Sequence, residues 1–217
     1  MVLSTRSEAG RRLAEMLAPL ADEHPLIFAL TPGGARVAFE IAQRFGAPLD
    51  LVSTRRLEVP GRWHSAFGAV TAGSVRVSRP HMRALALPKP YLKDLVRREE
   101  REAMLEEQRH RGPVGPLVLQ DRLVILVDDG LADPMVVSAG IASLRARQPA
   151  QLFFALPFAS PDLKHTVARL VDRLIALRES DHEPAPIICD ELFIQTTWDD
   201  VRRMVELSRQ QEELVPA

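Results

Sequence analysis

The chain has 217 residues, 46% of them apolar and 26% charged, with a formal net charge of −1. That length bounds it to one α/β domain with at most a small accessory lobe, and it suffices to bury a large core. The near-zero charge gives no global field favouring nucleic acid or membrane, and the lone Cys189 excludes an internal disulfide framework and a multi-cysteine zinc site. Met1 to Gly10 is polar and no apolar run approaches ~18 residues, so neither a signal peptide nor a membrane span is expected and a cytoplasmic protein follows.

Ala9, Leu13, Met16, Leu17 and Leu20 recur at helical spacing and predict an amphipathic helix over Glu8 to Ala21, with Pro25 at its exit. Leu26 to Leu30 reads as a buried strand. Thr31-Pro32-Gly33-Gly34 breaks it, and a helix follows from Ala35 to Phe45, stopped by Gly46. A second strand spans Leu49 to Thr54, which makes β–α–β and implies a parallel pair with a right-handed crossover. Arg55 to Gly61 reads as a basic turn. Ala66–Val70 and Ser74–Ser78 can pair as a hairpin around Thr71-Ala72-Gly73. Tyr91 to Arg111 is a charged helix with a thin apolar stripe, and its charges are expected to form a solvated face. The remaining elements are a strand at 123–127, a helix from Met135 to about Arg147, a strand from Gln151 to Leu156 and a helix from Pro161 to about Leu170. A strand at Arg173–Leu177, a polar loop at Ser180–Pro186 and a short strand at Ile187–Cys189 come next. The last helix runs from Trp198 to Gln210 behind a capping box at Thr197 to Asp200.

The most informative stretch is Leu123-Val124-Ile125-Leu126-Val127-Asp128-Asp129-Gly130. Five aliphatic residues suit a strand buried on both faces of a parallel sheet. Its carboxyl end, where open α/β sheets bind ligands, then carries two adjacent carboxylates. Leu131 to Met135 leads into a helical-looking run, giving a strand, an acidic loop and a helix N-terminus that could hold a phosphate. Taken alone, the acids either bind a ligand or cap local N–H groups.

"VILVDDGLA" resembles the ribose-binding motif of the type I phosphoribosyltransferases. "EAGRRLAE", "GAPLDLVSTRRLEVPG", "AFGAV" and "YLKDLVRREEREAMLEEQRHRG" resemble, in order, segments of a subgroup of uncharacterised phosphoribosyltransferases. The resemblance implies an α/β fold: a Rossmann-like parallel sheet of about five strands flanked by helices. Residues 1–217 would form a single domain, with a small hood built from the N- and C-terminal segments.

The same resemblance implies site residues. Asp128 and Asp129 would hold the ribose hydroxyls and Mg²⁺ carried by a diphosphate. Gly130, Ala132 and Asp133 would lie in the loop that cradles the 5′-phosphate. Gly33 and Gly34 would approach the diphosphate, joined by Arg56, with Arg55 either assisting or solvated. Two departures stand out. The family's Thr-Gly-x-Thr-like cradle is replaced by Asp133-Pro134-Met135-Val136, and Pro32 stands where the subgroup has arginine. Arg62 and His64 could supply charge or move a proton, while Trp198 and Phe193 either cover a base or fill the core. The implied activity is transfer of phosphoribosyl from phosphoribosyl diphosphate to a nucleobase-like acceptor, with Mg²⁺ as cofactor. The alternative is a catalytically inactive ligand sensor or interaction module on the same fold. The expected partner is a small sugar phosphate, with no membrane and no nucleic acid; a homodimer is left open. If Asp133 caps the helix that follows, the chain fills its own phosphate cradle with a side-chain anion.

Overall fold

A computed structural model of the chain describes residues 5–59, 66–179 and 196–214, with side chains to residue 210. The main sheet has five parallel strands: β1 (Leu26–Ala29), β2 (Leu49–Leu51), β6 (Leu123–Val127), β7 (Gln151–Ala159) and β8 (Arg173–Glu179), in the order β2-β1-β6-β7-β8. Alternate residues of each strand feed different layers. Ile27, Ile125 and Phe153 face α1 (Arg6–Leu17), α2 (Pro32–Phe45) and α7 (Trp198–Leu214), where Leu13, Val37, Ile41 and Val205 complete the packing. Phe28, Leu126 and Phe154 face α5 (Pro134–Arg145) and α6 (Pro161–Val167), meeting Val137, Ile141, Leu144 and Leu163. Both faces are apolar, so the central strands read as continuous hydrophobic runs.

The sequence located the main elements, and the departures have local causes. The first helix stops at Leu17 and continues as a 3-10 turn, Ala18–Glu23, because Pro19 has no N–H to continue the α ladder. Thr31-Pro32-Gly33-Gly34 is no break between elements. Thr31 is the N-cap of α2, its Oγ1 accepting from Gly34 N at 2.9 Å, and Pro32 opens the helix. β7 runs past Pro157 to Ala159. Its pairing with β6 ends at Ala155, so the missing proline donor falls where β7 has no partner on that side.

Arg55–Leu57, read as a turn, is a strand, β3. It pairs antiparallel with β4 (Gly68–Thr71), which pairs with β5 (Ser74–Val77) in the expected hairpin. Below this small sheet lie α3 (Arg79–Leu85), which the sequence did not disclose, and α4 (Lys89–Arg111), with Leu57, Phe67, Val70 and Leu95 as their common core. The charges of α4 are not simply a solvated face. Glu99, Glu106, Glu107 and Arg111 turn toward the protein, and Arg111 joins the fully buried Asp50 in the middle of β2 through Nε at 2.9 and 3.0 Å. Arg209 of α7 approaches the same carboxylate at 3.4 Å and donates to Leu49 O, while Ser208 Oγ accepts from Leu49 N. The capping box at the start of α7 is present, Thr197 and Asp200 exchanging backbone-to-side-chain bonds. Pro60, Gly61, Arg62, His64, Cys189 and Phe193, together with the loop and strand expected at 180–189, lie outside the described residues.

Candidate active site

The strand order locates the site. β1 is flanked by β2, its successor in the chain, on one side and by β6 on the other, so the topological switch point lies between β1 and β6. At the carboxyl ends of these two strands sit Thr31 and the pair Asp128–Asp129.

Asp128 is fully buried. Its Oδ1 accepts from Thr31 Oγ1 at 2.8 Å, and its Oδ2 accepts from the backbone N–H of Gly130 at 2.8 Å and of Ala132 at 3.3 Å. Burial, and then the charge of Asp129, pushes its carboxyl up to about 7 against the pull of those donors. Asp129 Oδ2 receives a guanidinium, Arg6 Nε and Nη2 each at 3.0 Å, and its Oδ1 accepts from Leu131 N at 3.2 Å. Arg6 is the first residue of α1 and is itself buried. Gly33 makes room for this pair: a Cβ there would lie 2.0 Å from Asp129 Oδ2 and 2.9 Å from Arg6 Nε. Gly34 likewise lies against the backbone of Val127 and Asp128. Gly130 has φ +86 and packs against Phe158 O, which a Cβ would meet at 2.8 Å.

Asp133 caps α5, its Oδ1 accepting from Met135 N at 2.7 Å. Arg56 Nη2 lies 3.8 Å from its other oxygen, and Arg56 Nε pairs with Glu58 at 3.0 Å. Arg55 is bound by Glu99 at 2.7 Å and by Glu106, and the Glu99 hydrogen bond is the largest cause of its raised pKa. Among the expected residues, the structure therefore brings Asp128, Asp129, Gly33, Gly34, Gly130 and Ala132 into one cluster. Arg55, Arg56 and Asp133 lie beside it with their charges already opposed.

A cleft of about 430 Å³ opens next to this cluster, lined among others by Thr31, Pro32, Thr54, Arg56, Glu58 and Trp198. Neither Asp128 nor Asp129 lines it. Trp198 is 41% exposed rather than part of the core, and its indole stacks on the buried His110 at 4.3 Å between ring centres and 15° between planes. Burial is the main reason His110 titrates below its ordinary value. Arg6 and Thr54 were not singled out by the sequence. The cap at Thr5 and Glu8 signals a helix start, but no spacing ties residue 6 to residue 129. No group of three or more His, Cys, Asp or Glu side chains is placed to hold a metal among the described residues, and none of the described helices is long and apolar enough to cross a membrane.

No family model matches the sequence. The chain is 32% identical over 178 residues to a Mycobacterium tuberculosis protein named "Putative phosphoribosyl transferase", found in two strains, CDC 1551 / Oshkosh and H37Rv. The match covers 79% of this chain and 39% of the relatives, so the chain spans about two fifths of the length of the curated relatives it matches. Among solved structures, TT1426 from Thermus thermophilus superposes with a TM-score of 0.76 at 30% identity, covering 94% of this chain and 98% of that one. The chain is thus similar over most of its length to part of a protein named a phosphoribosyl transferase, and shares its fold with TT1426.

Proposed function

We propose that the chain is a ligand-binding member of the type I phosphoribosyltransferase family in which transfer from phosphoribosyl diphosphate is absent. The observation that carries this reading is Asp133 on the N-terminus of α5. A 5′-phosphate in this loop would need the free N–H groups at that helix start. Here a carboxylate takes the Met135 donor, and Pro134 has no N–H to offer. Two further features support it: Pro32 stands in place of a cation, and Arg55 is neutralised by two glutamates.

Mg²⁺ does not suit the acid pair as it is arranged. All four oxygens of Asp128 and Asp129 already accept N–H or O–H donors, and a cation at Asp129 would have to displace the Arg6 guanidinium. Hard divalent ions need carboxylate oxygens free to coordinate. What the chain's own residues do is hold a rigid, internally balanced acidic turn at the sheet edge. The ligand is then a small molecule, and with Arg55 and Arg56 both opposed by carboxylates no cationic stripe favours nucleic acid among the described residues.

A second reading, transfer of phosphoribosyl to a nucleobase-like acceptor with Mg²⁺ on the diphosphate, is favoured by the position of Asp128 and Asp129 at the switch point. Incubation with labelled phosphoribosyl diphosphate, Mg²⁺ and a panel of bases separates the two. The expected result is no turnover, with affinity weaker by about ten- to a hundredfold than in a relative that keeps the cationic loop, since one charge-assisted contact is worth roughly 1.5–3 kcal/mol. Multiple turnovers at any base would overturn the first reading in favour of the second.

A further inference from the structure

We infer that the open edge of the small sheet, with the helical surface beside it, docks an extended acidic segment of another polypeptide. The cleft is lined by Arg55 and Arg56 of β3, whereas this surface starts at β5, on the other border of the same sheet. It is therefore independent of what the cleft binds.

Charge is distributed unevenly along the chain. Residues 72–98 hold seven Lys or Arg against one acid, Asp94, leaving 21 against 28 elsewhere. Six of the seven, Arg76, Arg79, Arg83, Lys89, Lys93 and Arg97, are exposed and make no ion pair among the described residues. Arg6, Arg55 and Arg111, by contrast, each meet a carboxylate. Helical spacing groups the six. Arg79 and Arg83 are one turn apart on α3, and Lys89, Lys93 and Arg97 follow at the same interval on α4. The two helices share one core through Met82, Leu85, Leu92 and Leu95, so their outer faces are neighbours. Neither helix has an acid in its first turn or a side-chain cap. Cations at a helix start oppose its dipole, so Arg79 and Lys89 do not serve local stability. A surface of unopposed cations is complementary to an acidic partner.

The strand edge decides what kind of partner. Among the described residues β5 pairs with β4 alone, and Val75, Arg76 and Val77 are all exposed. Antiparallel neighbours alternate between pairs that exchange backbone bonds and pairs that do not. Ser78 N donates to Phe67 O at 2.7 Å, so Arg76 and Ser74, two and four residues back, also turn their backbone groups to β4. The N–H and C=O groups of Val75 and Val77 then point outward, where they take no partner among the described residues. An added strand pairs with such groups. Nucleic acid and lipid headgroups have no backbone amides to match them, and a second copy of β5 would bring its own Arg76 into the same cationic surface. An extended chain with acidic side chains fits both the edge and the charge. The half-exposed Val75 and Val77, two residues apart, add apolar contact on one face of the strand.

The test uses the full chain and a short capped peptide alternating Glu and Val, titrated by calorimetry at low salt. The peptide should bind saturably, and more weakly as salt is raised. A peptide alternating Lys and Val should not bind. The Glu peptide methylated on alternate backbone amides keeps its charge but cannot pair along the edge, and should bind at least about tenfold more weakly. Arg79→Glu with Arg83→Glu and Lys93→Glu should also weaken binding by at least about tenfold, at an undiminished thermal midpoint, because all three side chains are exposed. A DNA duplex and vesicles containing phosphatidylserine, titrated at the same salt, should bind less tightly than the peptide. The inference is overturned if the Glu peptide does not bind, or if the Lys peptide or the methylated peptide binds as well. It is equally overturned if the triple variant keeps its affinity, or if duplex or vesicles bind more tightly than the peptide.

Discussion

Replacing Asp128 by Asn tests the electrostatic core of the site. The carboxyl is fully buried, and burial plus the neighbouring Asp129 raises it to about 7. An unfolded aspartate titrates near ~3.9. Between about 4 and 7 the folded state therefore holds a proton that the unfolded state has released. The native state binds more protons in that window, so stability falls as pH rises through it and is flat above it. The Asp128→Asn variant has no such proton to lose. The carbonyl oxygen of its amide can accept from Gly130 and Ala132, and the amide nitrogen can donate to Thr31 Oγ1, so the hydrogen bonds survive with the hydroxyl reoriented. The variant should gain on the parent by roughly 2–3 kcal/mol between about pH 5 and pH 8. For a chain of this size that corresponds to about 5–10 °C in thermal midpoint. Urea and thermal unfolding of both proteins at several pH values measure the difference of slopes. Parallel curves for parent and variant across the window would refute the reasoning, and would mean that the Thr31 and backbone donors keep Asp128 ionised in the fold.

Arg6→Gln leaves Asp129 without its guanidinium, and removing one partner of a buried pair costs about 3–5 kcal/mol. Urea denaturation should show that loss, and adding Asp129→Asn should restore part of it. Gly33→Ala places a methyl 2.0 Å from Asp129 Oδ2, so the acid and Arg6 must separate, at a cost of about 1–3 kcal/mol by the same assay; an unaffected midpoint would show that the turn yields freely. Asp133→Thr with Pro134→Gly frees the α5 donors and should raise affinity for ribose 5-phosphate in calorimetry, while weaker capping costs on the order of 1 kcal/mol. No gain in affinity would place the anion site elsewhere.

How much of this was legible in the sequence depends on the range of each interaction. The parallel strands were visible because Leu123 to Val127 is buried on both faces and shows it in composition. The Asp133 cap was legible because an N-cap and a following proline act over two residues. Arg55–Leu57 was missed because a three-residue strand has no period of its own; its pairing with Val70 and Gly68 makes it a strand. Residue type left Trp198 between covering a base and filling the core, and only tertiary structure brings His110 beneath it. Arg6 is the largest gap. A solvated arginine and one buried 123 positions away against a carboxylate look alike in sequence, and only the room left by Gly33 tells them apart. For the same reason the charges of α4 read as a water-facing surface, although Arg111 closes on a buried Asp50.

The bonds from α7 to β2 have a bearing on the exposed border of the main sheet. β2 ends one side of the main sheet, and an outer strand presents unpaired N–H and C=O groups to any other chain that can dock alongside. Here Leu49 N is taken by Ser208 Oγ and Leu49 O by Arg209 Nε, so side chains of the last helix do for the strand what a neighbouring strand would. The opposite border, β8, has no further strand paired to it among the described residues but carries Arg173, Arg178 and Glu179, charges that discourage stacking of sheets end to end. The two borders thus differ, one having its outward backbone groups bonded by side chains and the other carrying charged residues. Loss of Ser208 and Arg209 should expose the first, turning the final helix into a safeguard against fibre growth as well as a layer of the core.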